Sequence, residues 1–320
     1  MAYSQGGLID DADYNTLAWG TPTGGTYVTT PANLAAVWGV GTGRYGYGAS
    51  TSNFTQVTAG SIVTAAQWTG MIQGVNNALA HQGGSVITPS SVTAGNLITY
   101  YNSIQTGVTN AFNGAGSVAS TTDGSALNTQ FTAAWGGSGH RRLLFTQTVT
   151  FASGNAARYF FNAGGKVKLT FSRSGGSATT RNSEWTDLCT KMGTITFGYL
   201  NTTGTPGSGA PAYNVIRNAG NGGYWNLSTT ATTHARMYAD TAPYTINYIQ
   251  VDVKWSGTAE NGGSPVLTFE TYWENDYANT FQQTADGTAT TSLVLSAPPT
   301  THIGSATWGT PSTGGSVVSS

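Results

Sequence analysis

Charged side chains are scarce in this sequence. Lys, Arg, Asp and Glu make up 8% of the 320 residues, against roughly a quarter in an average globular chain. The 12 basic and 13 acidic residues leave a formal net charge of −1. The basic residues form no stripe, so we expect no nucleic-acid partner. A neutral surface also lacks the repulsion that keeps monomers apart, which favours permanent packing against other subunits.

Cysteines and long apolar runs are also nearly absent. Cys189 is the single cysteine, so an intramolecular disulfide is excluded. No apolar run approaches the roughly 18 residues that span a bilayer, so we expect no membrane insertion. Residues 1–7 lack the basic head and apolar core of a secretory signal. We therefore expect a chain that is made in a cytoplasm.

Glycine and aromatic residues are abundant instead. The chain has 44 Gly, 9 Trp and 16 Tyr, and aromatic residues reach 11%. A disordered chain would lack aromatics and carry net charge, so the composition predicts a folded, β-rich protein with tight glycine turns. It is compatible with an assembled subunit and with the alternative of a soluble monomer that its hydroxyl groups keep hydrated.

The first 115 residues carry helix signals. Thr64 and Gln67 have the spacing of a capping box, and Gly70 and Gly74 form a stripe of small residues that favours close helix packing. Two apolar patterns of helical spacing follow one another, and we predict that they form a helical hairpin. Three segments share the helix-start pattern: Ile9–Tyr14, Val63–Trp68 and Val92–Leu97.

Strand signals dominate after Arg141. Apolar residues alternate on both sides of a short helix that begins at Ser153 or Asn155, which predicts two strands of one sheet between Arg142 and Arg173. We predict a helix capped by Ser183 and a bulge between Tyr248 and Ile249. Further strands are predicted at 194–199, 213–217, 224–228, 233–238, 244–255, 266–273 and 293–295.

These signals predict a mainly β chain with a small helical N-terminal region. The expected fold is a β-sandwich or jelly-roll-like body preceded by the helical hairpin. The expected organisation is an N-terminal helical and loop assembly region at 1–115, a Gly/Ser/Thr-rich linker at 116–140, a β-sandwich-like domain at 141–300 and a C-terminal tail at 301–320.

The sequence offers no metal-binding pattern. The four histidines are widely spaced and accompany a single cysteine, so no zinc site is predicted. Asp10, Asp11 and Asp13 lack the glycine and the distal glutamate of a calcium loop, and acidic residues suit a helix start without a metal. The histidines are His81, His140, His234 and His302.

Catalytic patterns are weak as well. Glu270, Glu274 and Asp276 flank Trp273, but on one strand Glu270 and Glu274 would lie about 13 Å apart. A glycosidase pair needs roughly 5 to 9.5 Å. No Gly-x-Ser-x-Gly elbow is present, and the loop Gly43–Gly48 lacks the frame of a phosphate-binding loop. We predict no catalytic, cofactor-binding or metal-binding residue, and we expect that the chain is not an enzyme.

Two sets of residues carry a resemblance. One contains Ile9–Asn15, the loop Gly43–Gly48, and Ile62–Trp68 with Val75–Asn77 and His81–Gln82. The other contains Val149–Gly165 and Phe171–Gly176, with the run Ala-Arg-Tyr-Phe-Phe-Asn-Ala-Gly-Gly as its specific part. Together they resemble virion structural proteins of tailed bacteriophages, including cyanophages and other marine phages. The resemblance covers roughly residues 8 to 200 and brings no catalytic residue with it.

The resemblance implies a tail, fibre, collar or capsid-decorating component of a virion that is assembled in the host cytoplasm. Its expected partners are copies of itself and other virion subunits. A second hypothesis is a carbohydrate-binding host-attachment module that uses exposed Tyr and Trp to bind a host-surface glycan. A third is a tail-borne glycan hydrolase, which the lack of paired carboxylates disfavours.

Overall fold

The computed structural model of the chain describes residues 10–20, 22–23, 26–27, 33–41, 43–93, 97–137, 141–256, 265–276, 284–303 and 307–320. The chain divides into two compact units. Unit 1 contains Met1–Thr122, Arg158–Gly164 and Pro298–Thr307, and unit 2 contains Asp123–Ala157, Gly165–Ala297 and Trp308–Ser320.

Unit 1 contains most of the helices. Asp10 caps the first helix and Thr64 caps the third, each in a capping box, which confirms two of the three predicted helix starts. Residues 94–96 of the third predicted start lie outside the described residues. None of the described helices is long and apolar enough to cross a membrane. The elements are α1 (Asp11–Trp19), β1 (Pro22–Thr23), β2 (Thr26–Tyr27), α2 (Leu34–Trp38), a 3₁₀ turn (Ser52–Phe54), α3 (Ala65–Gln82), α4 (Leu97–Asn113) and most of α5 (Gly154–Asn162).

Helices α3 and α4 lie side by side and run in the same direction. At their first turns the rings of Trp68 and Tyr101 lie 6.4 Å apart. At their last turns Gln82 Nε2 donates to the carbonyl oxygen of Ala111 at 2.7 Å. An αα-hairpin has antiparallel helices, so the predicted helical hairpin is wrong.

A long connection between the two helices makes the parallel arrangement possible. The side chain of Asn76 in α3 donates to the carbonyl of Ile87 at 3.1 Å and accepts from the backbone N–H of Ile87 at 2.7 Å. Further on, the N–H of Val92 donates to Thr69 Oγ1 near the start of α3. The connection therefore returns along α3 and starts α4 beside the beginning of its neighbour.

In a helical hairpin, the glycine stripe of α3 would pack against α4. It packs instead against the 3₁₀ turn and α2. A Cβ on Gly70 would lie 1.9 Å from the carbonyl oxygen of Asn53, and one on Gly74 would lie 2.9 Å from the Leu34 side chain. These glycines let α3 approach the 3₁₀ turn and α2. The close approach of α4 is made by Gly107, where a Cβ would lie 2.9 Å from Val75.

One arginine holds the aromatic–glycine loop of unit 1. Arg158 in α5 donates from Nη2 to the carbonyl of Val40 at 2.7 Å, and from Nη1 to those of Tyr45 at 2.8 Å and Gly43 at 3.3 Å. Asn162, one turn later, donates to the carbonyl of Gly46 at 2.9 Å. The forked donors of one buried guanidinium bind three carbonyl groups at once, so Arg158 fixes the loop.

Glycine is required in this loop because the backbone turns tightly. Gly46 has φ of 100°, and a Cβ there would lie 2.4 Å from the carbonyl oxygen of Val40. His81 secures the end of α5, where its Nε2 lies 2.8 Å from the carbonyl oxygen of Ala163. Burial lowers the pKa of His81, so the neutral ring donates this bond.

Unit 2 is built on two antiparallel sheets, which confirms the prediction of a mainly β chain with a few helices. The β5 sheet has the order β14 (Ser312–Ser319), β5 (Arg142–Thr150), β12 (Val266–Glu274), β11 (Tyr248–Trp255), β10 (Thr232–Tyr238) and β9 (Val215–Ile216). The β6 sheet has the order β3 (Thr122–Asp123), β13 (Thr288–Ala297), β6 (Lys166–Ser174), β7 (Thr194–Phe197) and β8 (Thr202–Thr205), and β4 (Leu127–Phe131) also pairs with β13. Helix α6 (Thr180–Met192) follows β6.

The inner faces of the two sheets share a core. Alternate residues of β5, β11 and β12 are buried, as the period-two pattern predicts. Phe197 of the β6 sheet meets Phe269 of the β5 sheet with ring centroids 5.5 Å apart. Trp185 of α6 stacks on Trp273 at 5.6 Å and contacts Trp135 at 4.6 Å. These large aromatic residues supply much of the buried apolar area.

Strands β5 and β6 belong to different sheets, so the prediction that they form one sheet is wrong. β5 pairs with β12 on one edge and with β14 on the other, while β6 lies between β13 and β7. The short helix between them exists, and Ser153 Oγ accepts from the N–H of Ala156 at its start. Alternation specifies an inner and an outer face but not the sheet that a strand joins.

Other local predictions also need correction. Residues 224–228 contain a 3₁₀ turn, Tyr224–Asn226, in place of a strand. Helix α6 begins after Thr179, whose side chain accepts from the N–H of Asn182, so Ser183 is not the cap. Strand β11 begins at Tyr248, and the residues before it form turns. Its pairing with β12 has no register shift, so the bulge predicted between Tyr248 and Ile249 is absent. A register shift occurs instead in β10, between Thr233 and Ala235.

Two stretches without predicted strands contain them. β3 and β4 lie within the 116–140 stretch, and β14 lies within the 301–320 stretch. The strand predicted at 293–295 is part of the longer β13, and only Val215–Ile216 is a strand in the 213–217 segment. Polar strands give a weak alternation signal, which explains why β4 and β14 were not expected.

We expect Arg158→Ala to lower the free energy of unfolding of unit 1 by about 3 kcal/mol, because it leaves buried carbonyls without their charged donor. Arg158→Lys keeps the charge but not the fork, and we expect it to recover only part of the loss. The control Arg44→Ala removes an exposed arginine of the same loop and should change stability by less than about 0.5 kcal/mol. Urea unfolding measures all three, and equal effects of Arg158→Ala and Arg44→Ala would contradict the assigned role.

Candidate functional site

β14 is the outermost strand of the β5 sheet. It pairs with β5 from Ser312 opposite Thr150 to Ser319 opposite Leu143, with no register shift. Just beyond the strand, Ser320 and Arg142 exchange both backbone hydrogen bonds, at 2.9 and 3.0 Å. No described strand lies on the other side of β14.

The backbone groups on that other side can be assigned from the register. Hydrogen-bonded pairs alternate along an antiparallel ladder, and the reciprocal pair at Ser320 fixes the phase. Even-numbered residues of β14 therefore exchange bonds with β5. The odd-numbered residues point their N–H and C=O groups away from β5, and we call these four residues the β14 edge: Thr313, Gly315, Val317 and Ser319.

The β14 edge carries none of the usual protections of a sheet edge. Its strand has eight residues with the sequence Ser-Thr-Gly-Gly-Ser-Val-Val-Ser, without a charge, a proline or a bulge. Proteins protect edges with lysine, proline, bulges, short strands or covering segments. Val318 is 56% exposed on this strand. The edge is thus open to pairing with another strand.

Other edges in the described part of the protein are short or covered. β9, at the opposite side of the β5 sheet, has two residues. β8 has four residues, and the Tyr213 ring covers it, since a Cβ on Gly204 would lie 2.3 Å from that ring. The Tyr213 hydroxyl donates to the carbonyl of Met192 at 2.8 Å, which holds the cover in place. β14 is the longest unprotected edge among the described strands.

Gly315 gives the edge its close packing on the inner face. A Cβ at Gly315 would lie 2.3 Å from Thr129 Oγ1 in β4. Gln147 of β5 also reaches this region and donates to Thr129 Oγ1 at 3.1 Å and to the carbonyl of Thr291 at 3.0 Å. The absence of a Cβ at Gly315 therefore lets β14 lie close to β4.

Charged groups lie on the outer face of β5, β12 and β11, and β14 itself contains none. Cross-strand ion pairs join Arg142 to Glu274 and Lys254 to Glu270. The Arg142 guanidinium also lies 5.1 Å from the centre of the Tyr272 ring. The sheet therefore carries matched charges on its face and no charge on its outermost strand.

The carboxylates considered for catalysis are held in these pairs. Glu270 accepts from Lys254 and, at 2.9 Å, from the Tyr272 hydroxyl, while Glu274 accepts from Arg142. Burial, followed by the hydrogen bond with Glu270, raises the pKa of Tyr272 to about 12. Asp276 is exposed beyond the strand. The structure places the two glutamates in separate cross-strand pairs instead of bringing them together.

His234 and Asp10 make hydrogen bonds that hold local structure. His234 is buried beside the carbonyl of Gly222 and Thr202 Oγ1, and burial lowers its pKa to about 4. Asp10 Oδ1 accepts from the N–H of Asp13 at 3.0 Å in the cap of α1. His140 lies outside the described residues. Within the described ranges, no group of three or more His, Cys, Asp or Glu residues could hold a metal ion.

Sequence reasoning missed a buried glutamate. Glu184 in α6 is 3% exposed, and Asn247 Nδ2 lies 3.4 Å from its Oε2. Burial raises its pKa to about 8, although the hydrogen bond from Asn247 and the charge of Arg181 oppose the shift. A perturbed carboxyl can mark an active site, but Glu184 adjoins the buried Trp185 in the core of unit 2. The only sequence signal for this buried glutamate was its position next to Trp185 on a predicted helix. Its surroundings fit a buried carboxyl group that is protonated at neutral pH.

Comparisons with protein-family models, with curated proteins and with solved structures found no match for this chain.

We expect Glu184 to make stability fall as the pH rises from about 5 to about 8. Its pKa rises from 4.5 to about 8 in the folded state, so its contribution is full below pH 4.5, falls progressively between pH 4.5 and 8, and is gone above pH 8. One pKa unit corresponds to about 1.36 kcal/mol, so the loss between pH 5 and pH 9 should be about 4 kcal/mol. Glu184→Gln should remove this loss in urea unfolding across that range.

The control for this experiment is Glu270→Gln, which changes a carboxylate on the outer face of the sheet. We expect it to keep the loss of stability that the unmodified protein shows between pH 5 and pH 9. Parallel pH profiles for Glu184→Gln and the unmodified protein would contradict the assignment of a raised pKa to Glu184.

Proposed function

We propose that the chain is a structural subunit of a bacteriophage particle, a tail, fibre, collar or capsid-decorating component that works by self-assembly. The observation that carries the proposal is the β14 edge, eight residues of uncharged and regular outer strand. An unprotected edge of this length is a template for strand pairing between chains. A monomeric protein would be expected to block it.

The low charge of the chain supports the same function. With 8% charged residues and a net charge of −1, copies meet little long-range repulsion when they approach. Strand addition at β14 would also desolvate no charged side chain, because the strand contains none. Permanent subunit contacts become favourable under these conditions.

The proposed body of the subunit is a β-sandwich or jelly-roll-like fold. Support comes from two antiparallel sheets whose inner faces meet at Phe197 and Phe269 and through the bond from Gln147 to the carbonyl of Thr291. Such a body is a rigid base from which an edge strand can be presented to a neighbour.

The phage assignment draws on the resemblance in the N-terminal two thirds. Its specific run contains Arg158 and Asn162, which hydrogen-bond the carbonyls of the 43–48 loop, itself part of the resemblance. The shared residues thus have a role in folding, which suits a family of structural proteins. The partners that we propose are copies of the chain and other virion subunits.

A second candidate is a carbohydrate-binding host-attachment module. The observation that favours it is a set of tyrosines on the outer face of the β5 sheet, where the rings of Tyr238 and Tyr248 lie 5.1 Å apart and Tyr272 follows on β12. The Arg236 guanidinium lies 5.1 Å from the Tyr248 ring centre, where a sugar ring would stack. This occupied ring face makes glycan binding the weaker candidate.

We expect the purified chain to form discrete oligomers whose mass rises with protein concentration in size-exclusion chromatography with light scattering. Val318→Lys places a lysine on the exposed face of β14 and should weaken association at least about tenfold, or about 1.4 kcal/mol. The matched control is Ile62→Lys, at an isoleucine that is 89% exposed in unit 1, and it should leave association unchanged.

A chain that stays monomeric at all concentrations would contradict the assembly function. A monomer that binds on a glycan array would support the second candidate.

A further inference from the structure

We propose that two copies of this chain join through β14 in antiparallel orientation, about a two-fold axis at Ser316, so that their β5 sheets form one continuous sheet. The inference rests on the proposed assembly function and adds the partner, the orientation and the register. It starts from the β14 edge, whose outward groups have no strand beside them in the described part of the chain.

The register follows from the phase of the backbone. In an antiparallel pair, two residues that exchange hydrogen bonds must both point their groups toward each other. Only Thr313, Gly315, Val317 and Ser319 do so on the outer side of β14. An axis at Ser316 pairs Gly315 with Val317 of the second copy and Thr313 with its Ser319, so every residue of the β14 edge is used.

Other two-fold registers use the edge less well. An axis at Gly315 places Ser319 opposite Pro311, which has no backbone N–H to donate. An axis at Val317 pairs only the segment from Gly315 to Ser319, a shorter part of β14. The axis at Ser316 gives the longest ladder with all donors present.

Side chains fit the same register. Large residues face glycines across the junction, because Val317 lies opposite Gly315 and Val318 lies opposite Gly314. Val318, which is 56% exposed in the single chain, would gain cover from the second strand on the outer face. β14 contains no charged residue, so no pair of like charges opposes the contact between the two copies.

As a partner for β14, the β14 strand of a second copy fits better than any other described sheet edge of the protein. Head-to-tail pairing would need a second long open edge on the same molecule. Among the described edge strands, β3 and β9 are two residues long, β4 has five residues, and β8 is covered by Tyr213. β14 complements itself, which is the requirement for a two-fold interface.

Disulfide trapping tests the axis directly. Ser316 and its copy form a non-hydrogen-bonded pair with Cα atoms about 4.5 Å apart, within the disulfide range of about 4.4 to 6.8 Å. Ser316→Cys should therefore give mostly covalent dimer under mild oxidation on a non-reducing gel. The native Cys189 is buried, and burial raises the pKa of its thiol, so it should not react.

Ser312→Cys is the matched control. Ser312 is an exposed serine on the same strand and the same face, but the two copies of residue 312 would lie about 27 Å apart across the axis, at about 3.4 Å per residue. This variant should remain unlinked under the same oxidation. Circular dichroism of both variants checks that they are folded.

Charge exchange provides a second measurement that does not depend on oxidation. Ser316→Lys alone and Ser316→Glu alone place like charges opposite each other, and each should weaken association at least about tenfold. Mixing the two variants should restore the dimer, because each lysine then faces a glutamate. The same exchange at Ser312 should have little effect on association.

The outcomes separate this inference from the proposed function. If the chain forms oligomers, but Ser316→Cys is not trapped or Ser312→Cys is trapped equally, the β14 pairing is overturned and self-assembly through another surface stands. If mixing the charged variants restores nothing, the two-fold axis at Ser316 is overturned. If the unmodified chain is monomeric at all concentrations, both the pairing and the assembly function are overturned.

Discussion

The pairing of β5 on both of its edges is the constraint on which the β5 sheet depends. β5 pairs along its length with β12 and, over Leu143 to Thr150, with β14. Buried backbone groups need hydrogen-bond partners, so β14 completes the outer edge of a strand whose alternate side chains are buried. β14 itself is satisfied on one side only. The open hydrogen-bonding edge on this side of the sheet therefore belongs to β14, which has no charge, proline or bulge.

The scarcity of charge gives this open edge its significance. The few ionised groups of the β5 sheet are matched in cross-strand pairs such as Arg142 with Glu274 and Lys254 with Glu270. Such pairs add little net charge to the face, and none extends to β14. Because neither net charge nor edge lysines keep copies apart, association is limited mainly by the fit of the surfaces that meet. A protein made to assemble can tolerate this, whereas a monomer risks aggregation.

Local patterns predicted the helix caps at Asp10 and Thr64 and the alternating strands, because these features depend on residues close in sequence. The parallel packing of α3 and α4 was not predictable, since it depends on the long-range clamp between Asn76 and Ile87. The candidate site was missed as well. β14 has no clear alternation of apolar and polar residues, and it forms a strand because it pairs with the edge of β5. Its only local signal was the pair Val317–Val318.

Amide hydrogen–deuterium exchange of the peptide covering residues 312–320, at low and at high protein concentration, measures the central claim most directly. The outward amides of this segment belong to Thr313, Gly315, Val317 and Ser319. We expect them to exchange rapidly in the dilute chain and at least about tenfold more slowly when the protein has assembled, because strand pairing protects them. Exchange in this segment that stays equally rapid in the assembled protein would contradict assembly through β14.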